Sequence, residues 1–227
     1  TAYLVGSKVV DTIIANWPQY KTTMPYEVKG NITEVGQQQL TQSNESSASI
    51  SELSSITDSE NVLTAKQLAK ALNLEAHVEG GYFRQTFKAD HRPTIATPNG
   101  DRVTMSSIYY LLSAQSPIGH FHMNQSDIMH YFHMGDPITY FMLNTDGSVQ
   151  QTILGPDPIK GHQMQMMVKG GTWKASKISS GGKYGYGLIG EAVAPGFEYP
   201  DMQLGKTAML LKQFPKHTQI VEELSQK

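Results

Sequence analysis

Cysteine, net charge and long apolar runs are scarce or missing in this chain of 227 residues. Without cysteine the chain has no disulfide, no thiolate nucleophile and no cysteine-ligated zinc, and this absence fits reducing and oxidising compartments alike. The formal net charge of −2 gives no basic field that would attract nucleic acid or an acidic membrane surface. No apolar run approaches the roughly 20 residues that span a bilayer. We therefore expect a soluble protein with no nucleic-acid or membrane partner, cytoplasmic in location, with secretion as the alternative.

The composition divides the chain into three parts. Residues 1–62 are predicted to be an N-terminal extension that ends in a linker rich in Gln, Ser and Thr, which has too few large apolar groups to offset the entropy of ordering. Residues 63–210 have the pattern of a folded domain, and residues 211–227 that of a C-terminal helix. The chain starts at Thr1 without a charged-then-apolar leader, so we expect that any targeting segment is already removed or never existed.

Two short helices are predicted around the domain. Thr64 and Gln67 have the spacing of a capping box, so a helix is expected to begin there. The segment Thr218–Leu224 predicts a surface helix that turns Ile220, Val221 and Leu224 inward.

From Gly80 onward, short apolar runs alternate with turn signals. Runs such as Ile108–Leu112 and Ile138–Leu143 are separated by turns such as Pro98-Asn99-Gly100-Asp101. Strands and turns at this regular spacing predict an all-β sandwich or barrel and not a βαβ fold.

Several short motifs follow one another at characteristic spacing. They are Glu79-Gly80-Gly81-Tyr82-Phe83-Arg84, Phe121-His122 leading to Gly135-Asp136-Pro137, Gly171-Thr172-Trp173 and Val193-Ala194-Pro195-Gly196-Phe197. In their order and spacing, residues from about 72 to 205 resemble a cupin family, cupin 5. This resemblance implies a double-stranded β-helix, which is a jelly roll of two sheets, with a few flanking helices. It also implies a homodimer and a small-molecule ligand.

The chain departs from the general cupin pattern at two positions. Cupins place a glutamate ligand seven residues before the glycine that is Gly135 here, and a histidine at the end of the second motif. These positions hold Ile128 and Lys174. In this the chain is similar to a subset of the family that lacks the standard metal ligands and has a glutamate before the Pro-Gly-Phe motif, as Glu191 is here.

Three histidines of the chain are compatible with a metal site and also with a polar cavity that holds no metal. His120 and His122 share a face if their strand is extended, and His130 shares a face with Ile128. Together His120, His122 and His130 would suit a divalent transition metal such as Zn, Fe, Ni or Cu. The ammonium of Lys174 would oppose such an ion and cannot ligate while it is protonated. The alternative is that these histidines are hydrogen-bonded within a polar cavity.

Acid–base chemistry is a further possibility. His122, His130, Lys174 and Glu191 are candidate catalytic residues for an isomerase or epimerase, although Lys174 and Glu191 would also suit a structural ion pair that closes the barrel. If the strand face that Arg84 shares with Tyr82 points inward, the planar guanidinium of Arg84 would bind a carboxylate or phosphate through two hydrogen bonds. Otherwise Arg84 would pair with Glu79. Ligand contacts are expected from Arg84, Tyr82, Tyr110, His120, Phe132 and Trp173.

The sequence therefore leaves three functional hypotheses. The first is a protein that binds a small organic ligand in the barrel, without a metal. The second is a metal-independent isomerase or epimerase, and the third is a metal-dependent oxygenase or lyase.

Overall fold

Antiparallel strands dominate residues 63–227, which are the residues that the computed structural model describes; the expectations for residues 1–62 lie outside them. In chain order the strands are β1 (Glu75–Ala76), β2 (Tyr82–Lys88), β3 (Ile95–Thr97), β4 (Gly100–Arg102), β5 (Ser106–Ser113), β6 (Ile118–Asn124), β7 (Asp127–Gly135), β8 (Ile138–Leu143), β9 (Val149–Leu154), β10 (Gln165–Val168), β11 (Trp173–Ile178), β12 (Tyr186–Ala194) and β13 (Met202–Leu204). The helices are α1 (Ala65–Ala71), α2 (Thr207–Gln213) and α3 (Thr218–Leu224).

Two sheets form the body of this unit. The larger sheet has the order β1-β2-β5-β12-β7-β10, the smaller sheet has the order β13-β6-β11-β8-β9, and β3 and β4 form a separate hairpin. Strands that are distant in the chain are neighbours in each sheet, as in the pairing of β12 with both β5 and β7. The predicted all-β double-stranded β-helix with a few flanking helices is confirmed.

The inner faces of the two sheets enclose an apolar core. On β5 the side chains of Tyr110 and Leu112 point into this core, whereas Leu111 points to the outer face, since successive strand residues alternate. The core side chains come from both sheets and are Tyr110, Leu112, Ile138, Tyr140, Met142, Leu154, Met166, Val168, Ile178 and Ile189.

The helices cover the outer faces of both sheets. The predicted capping box is present at α1: the Thr64 hydroxyl accepts from the Gln67 amide and the Gln67 side chain accepts from the Thr64 amide. Helix α1 packs on the larger sheet, and α2 and α3 pack on the smaller one. The predicted helix Thr218–Leu224 is confirmed, with Val221 and Leu224 buried. The C-terminal segment also contains α2, which begins before the expected boundary at residue 211. No helix among residues 63–227 is long and apolar enough to cross a membrane.

Candidate functional site in the mouth of the barrel

A cavity of about 320 Å³ opens between the two sheets at one end of the barrel, and we call it the mouth cavity. Its floor is polar and buried and is formed by Glu79, His122 and Glu191. Its walls carry apolar side chains, which are those of Phe83, Ile108, Ile128, Val193, Phe197, Tyr199 and Met202. They also carry polar side chains, which are those of Glu75, His77, Gln85, Lys88, Asn124 and Glu198. A cavity that combines apolar side chains with a few convergent polar groups is the usual form of a site for a small organic ligand.

Behind this floor, Lys174 joins the two sheets. Lys174 on β11 is 2 % exposed and extends towards β7 and β12, where His130 and Glu191 are register partners. Its Nζ atom lies 2.7 Å from Nε2 of His130 and 3.5 Å from Oε1 of Glu191. Oε1 of Glu191 also lies 3.2 Å from Nε2 of His130. The structure thus brings together three of the four residues that the sequence predicts for acid–base chemistry.

The charges in this cluster follow from burial and from Lys174. Burial lowers the pKa of His130, and the nearby ammonium of Lys174 lowers it further, so the imidazole is neutral. Burial raises the pKa of Glu191, but the positive charge of Lys174 opposes this effect, and that pKa lies well below its ordinary value. Since Lys174 can only donate, Nε2 of His130 accepts and the ring proton is on Nδ1. The cluster is therefore an ammonium–carboxylate pair with a neutral histidine.

The second polar cluster of the floor pairs His122 with Glu79. Nδ1 of His122 lies 2.8 Å from the backbone carbonyl oxygen of His120, and a carbonyl oxygen can only accept, so Nδ1 carries the ring proton. Burial, and next the charge of Lys174, lower the pKa of His122 to about 3, so its Nε2 is an unprotonated acceptor at neutral pH.

Glu79 supplies the hydrogen for that acceptor. Its Oε2 lies 3.0 Å from Nε2 of His122 and 3.6 Å from Nδ1 of His77. Burial raises the pKa of Glu79 to about 8, which keeps the carboxyl group protonated at pH 7. The Glu79 hydroxyl therefore donates to His122, and the contact is a neutral acid–imidazole hydrogen bond. An ion pair would have required the opposite shift of both pKa values.

The turn between β1 and β2 places Glu79 in this position. Gly80 and Gly81 have positive φ values of 102° and 72°, a conformation that other residues rarely adopt. The carbonyl oxygen of Glu79 accepts from the amide of His120 at 2.6 Å, and that of Gly80 accepts from the Tyr110 hydroxyl at 2.9 Å. These contacts fix the turn against β5 and β6 and direct Glu79 inward.

Glu79 is the site residue that sequence reasoning misses. The predicted pairing of Glu79 with Arg84 is wrong, because Glu79 contacts His77 and His122 inside the barrel whereas Arg84 lies over the Tyr109 ring on the outer face. The sequence pattern that points to Glu79 is the Gly80-Gly81 pair that follows it. Two consecutive glycines indicate a tight turn, but they do not show whether the carboxylate before the turn is directed inward or outward.

His120 does not join His122 in the cavity. The pairing of β6 with β11 shifts register between Lys174 and Ser176, which is a β-bulge in which His120 and Phe121 of β6 together lie opposite Ala175 of β11. Because of the extra residue, both His120 and Phe121 lie on the outer side, where Nδ1 of His120 is 3.3 Å from the carbonyl oxygen of Leu224 on α3. The predicted common face of His120 and His122 is therefore wrong.

The other predicted ligand contacts divide between the two faces. Tyr110 on β5 and Phe132 on β7 point into the barrel core. Tyr82 packs against α1 on the outer face of the larger sheet, and Arg84 shares that face. Trp173 packs against α2 and α3 on the outer face of the smaller sheet. The structure does not bring Tyr82, Arg84 or Trp173 to the mouth cavity, because in each case the neighbouring residue of the strand points inward.

Comparison with known proteins agrees with this architecture. Residues 66–205 match the model of the Cupin_5 family, described as cupin superfamily (DUF985). The chain belongs to this family. It is 36 % identical over 146 residues to the uncharacterized protein YML079W of Saccharomyces cerevisiae, a match that covers 60 % of this chain and 72 % of the yeast protein.

Two solved structures are similar to this Cupin_5 protein. Protein SO0799 from Shewanella oneidensis is 34 % identical, with a TM-score of 0.65, over 72 % of this chain and 98 % of that protein. A hypothetical protein from Leishmania major is 26 % identical, with a TM-score of 0.68, over 73 % of this chain and 100 % of that protein. These relatives show the same fold in the part of the chain that contains the site.

The residues of this Cupin_5 site do not fit a metal ion of the cupin type. His120 faces away, both ring nitrogens of His122 are engaged, and an ammonium lies 2.7 Å from Nε2 of His130. Across the described range 63–227, no group of three or more His, Asp or Glu side chains is arranged to hold a metal ion. The structure does not assemble the three-histidine site that is one of the two alternatives from the sequence.

Proposed function

We propose that this Cupin_5 protein binds a small organic ligand in the mouth cavity, without a metal. The observation that supports this most strongly is the combination of about 320 Å³ of space with apolar side chains in the walls and a floor of Glu79, His122 and Glu191. The apolar part of the ligand would lie against Ile108, Ile128 and Val193, and its polar part would contact the floor.

The charge balance of the site favours an uncharged ligand. Lys174 is compensated by Glu191, whereas Glu79 and His122 are neutral at pH 7. At the rim, Lys88 is already paired with Glu198 at 2.6 Å. A polar but uncharged group, such as a carbonyl or hydroxyl, therefore meets matching donors and acceptors, and an anionic ligand would have to compete with a carboxylate for each of these two cations.

Replacing Ile128 by tryptophan is expected to abolish ligand binding. Ile128 is buried and lines the mouth cavity, so a larger side chain there fills the space that the ligand needs. The measurement is methyl NMR with hydroxyacetone as the probe, which should shift the methyl signals of Ile108 and Val193 in the wild type and leave them unshifted in Ile128→Trp.

The matched control for this experiment is Ile159→Trp. Ile159 is 97 % exposed and lies away from the cavity lining, so this variant should bind as the wild type does. Shifts that are equal in Ile128→Trp and the wild type would place binding elsewhere and contradict the proposal.

A second candidate function is metal-independent isomerisation. One specific observation favours it: Oε2 of Glu79 and Nε2 of His122 lie 3.0 Å apart on the floor of the same cavity. Burial raises the pKa of Glu79 and lowers that of His122, which favours the neutral form of both groups. Such a pair can accept one proton and donate another.

We also propose that two copies of the chain form a homodimer. This is supported by strand β10, which is an edge strand of the larger sheet, and by the apolar side chains exposed on it and near it. They are Tyr131, Met134, Met164 and Met167.

A further inference from the structure

The proton that Glu79 shares with His122 lies where a ligand can reach it. Both residues line the mouth cavity, and Oε2 of Glu79 is 3.0 Å from Nε2 of His122. A ligand that displaces this hydrogen bond from the cavity side meets an O–H donor on Glu79 and a nitrogen lone pair on His122. The lone pair exists because the other ring nitrogen is held as a donor to the carbonyl oxygen of His120.

We propose that Glu79 and His122 are an acid–base pair that interconverts an uncharged α-hydroxy carbonyl compound with its enediol. This inference rests on the proposed ligand site and names the substrate class and the catalytic residues of that site. It differs from the pairing of Lys174 with Glu191 that the sequence indicates, since Lys174 is absent from the cavity lining.

The step balances without an oxidant, a reductant or a metal ion. The O–H bond of Glu79 breaks, and its proton moves to the carbonyl oxygen of the substrate. The α C–H bond also breaks; its proton moves to Nε2 of His122, and its electron pair forms the carbon–carbon double bond of the enediol. Glu79 is then a carboxylate and His122 an imidazolium. Return of a proton to the neighbouring carbon, and of the hydroxyl proton to Glu79, gives the isomer and the starting state of the enzyme.

The surroundings support this direction of transfer. The two new ions form together on the floor of the same cavity, so each partly compensates the charge that burial would otherwise oppose. The ammonium of Lys174 acts against the effect of burial on Glu79 and favours its carboxylate form, which is the form produced in the step. The other groups that face Glu79 are His77, Tyr110 and Glu191, of which His77 has a pKa lowered by burial and stays neutral.

The substrate class follows from the charges of the lining. Lys88, the lysine in the cavity lining, is paired with Glu198, and Lys174 behind the floor is paired with Glu191. A phosphorylated or carboxylated substrate would therefore have no free cation in this lining. An uncharged hydroxy ketone or hydroxy aldehyde would have Glu79 as the donor for its carbonyl oxygen.

The experiment measures exchange of the α-hydrogens of hydroxyacetone in deuterated water by NMR, with the exchange in protein-free buffer subtracted. We expect the wild type to accelerate exchange and Glu79→Gln to slow the protein-dependent rate by at least about 100-fold. The glutamine amide still donates to Nε2 of His122 but cannot release a proton, so hydroxyacetone should still shift the methyl signals of Ile108 and Val193. The matched control is Glu222→Gln on the exposed face of α3, which should exchange as the wild type does.

A pH profile of the wild type tests the same donor without any substitution. Since the pKa of Glu79 is raised to about 8, the protein-dependent rate should fall about tenfold per pH unit above that value. A histidine or lysine donor would give a decline at a different pH.

The outcomes separate this inference from the proposed ligand site. Methyl shifts without protein-dependent exchange, or exchange that is unchanged in Glu79→Gln, would overturn the acid–base inference and leave the ligand site standing. The absence of both methyl shifts and exchange would overturn the two together.

Discussion

Replacing Lys174 by methionine is expected to lower the free energy of unfolding by about 3–5 kcal/mol at pH 7. The substitution leaves the carboxylate of Glu191, which is 6 % exposed, without its cation, and methionine cannot donate to Nε2 of His130. Denaturant unfolding of the variant and the wild type measures the difference.

The pH dependence of this loss has a defined sign. In the wild type the pKa of Glu191 lies below the ordinary value of 4.5, so its contribution to stability is present above pH 4.5 and is lost as the pH falls through the folded pKa. Without Lys174 the burial of Glu191 raises its pKa, so the folded state retains a proton that the unfolded state releases. The destabilisation should therefore grow as the pH rises above 4.5 and shrink in acid.

The chain offers a close control for Lys174→Met. Lys177 lies on the same strand, but it is directed outward and pairs with Glu223 on α3, with about 40 % of its side chain exposed. Lys177→Met should cost less than about 1 kcal/mol. The double variant Lys174→Met with Glu191→Leu should recover most of the lost stability, because no uncompensated charge remains. A loss below about 1 kcal/mol in Lys174→Met alone would show that the buried ion pair does not exist.

Replacing Gly80 by alanine is expected to lower the free energy of unfolding by at least about 3 kcal/mol. Gly80 has a φ of 102°, and an added Cβ would overlap the backbone carbonyl oxygen of Ile118, which cannot move without disturbing β6. The turn would have to open, and Glu79 would leave the floor of the cavity. Thermal and denaturant unfolding measure the effect.

Gly147→Ala is the matched control for this substitution. Gly147 also has a positive φ, 81°, but no atom lies within 4 Å of an added Cβ. It therefore isolates the conformational cost, which is about 1 kcal/mol. Equal losses in the two variants would mean that the close approach of Gly80 to Ile118 is not a constraint on the fold.

Much of the fold follows from local patterns in the sequence. The helix Thr218–Leu224 is confirmed because its apolar spacing matches one face of a helix and no distant contact opposes it. The inward face of β7 is predicted in part. Alternation places Ile128, His130, Phe132 and Met134 on one side, and the structure has the first three there. Met134 is exposed, because the pairing of β7 with β12 shifts register just before it.

The candidate site is less predictable, because its side chains are placed by contacts between distant segments. The bulge at His120 reverses that side chain, and nothing in Gly119-His120-Phe121-His122 indicates an extra residue in the pairing with β11. Glu79 is a carboxylate beside a turn, which usually indicates an exposed position. It is buried because its carbonyl oxygen accepts from the amide of His120, 41 residues later in the numbering.

Lys174 changes the chemistry that is expected of a cupin barrel. By its resemblance to cupins, this chain has Lys174 at the position of a histidine that ligates the metal ion. The positive charge at this position is therefore that of an ammonium group. That charge favours the ionised form of Glu191. Burial lowers the pKa values of His122 and His130, and the charge of Lys174 lowers them further. One substitution in the second motif therefore contributes to the protonation states of three neighbouring residues.

The protonation of the Glu79–His122 contact is tested most directly by the ring nitrogens of His122. Long-range ¹H–¹⁵N NMR of the histidine side chains at pH 7 should show His122 as a neutral ring with its proton on Nδ1 and an unprotonated Nε2, and this state should persist down to pH 5. If His122 instead carries its proton on Nε2, or is an imidazolium, then Glu79 is an ionised acceptor and the proposed proton donor of the mouth cavity does not exist.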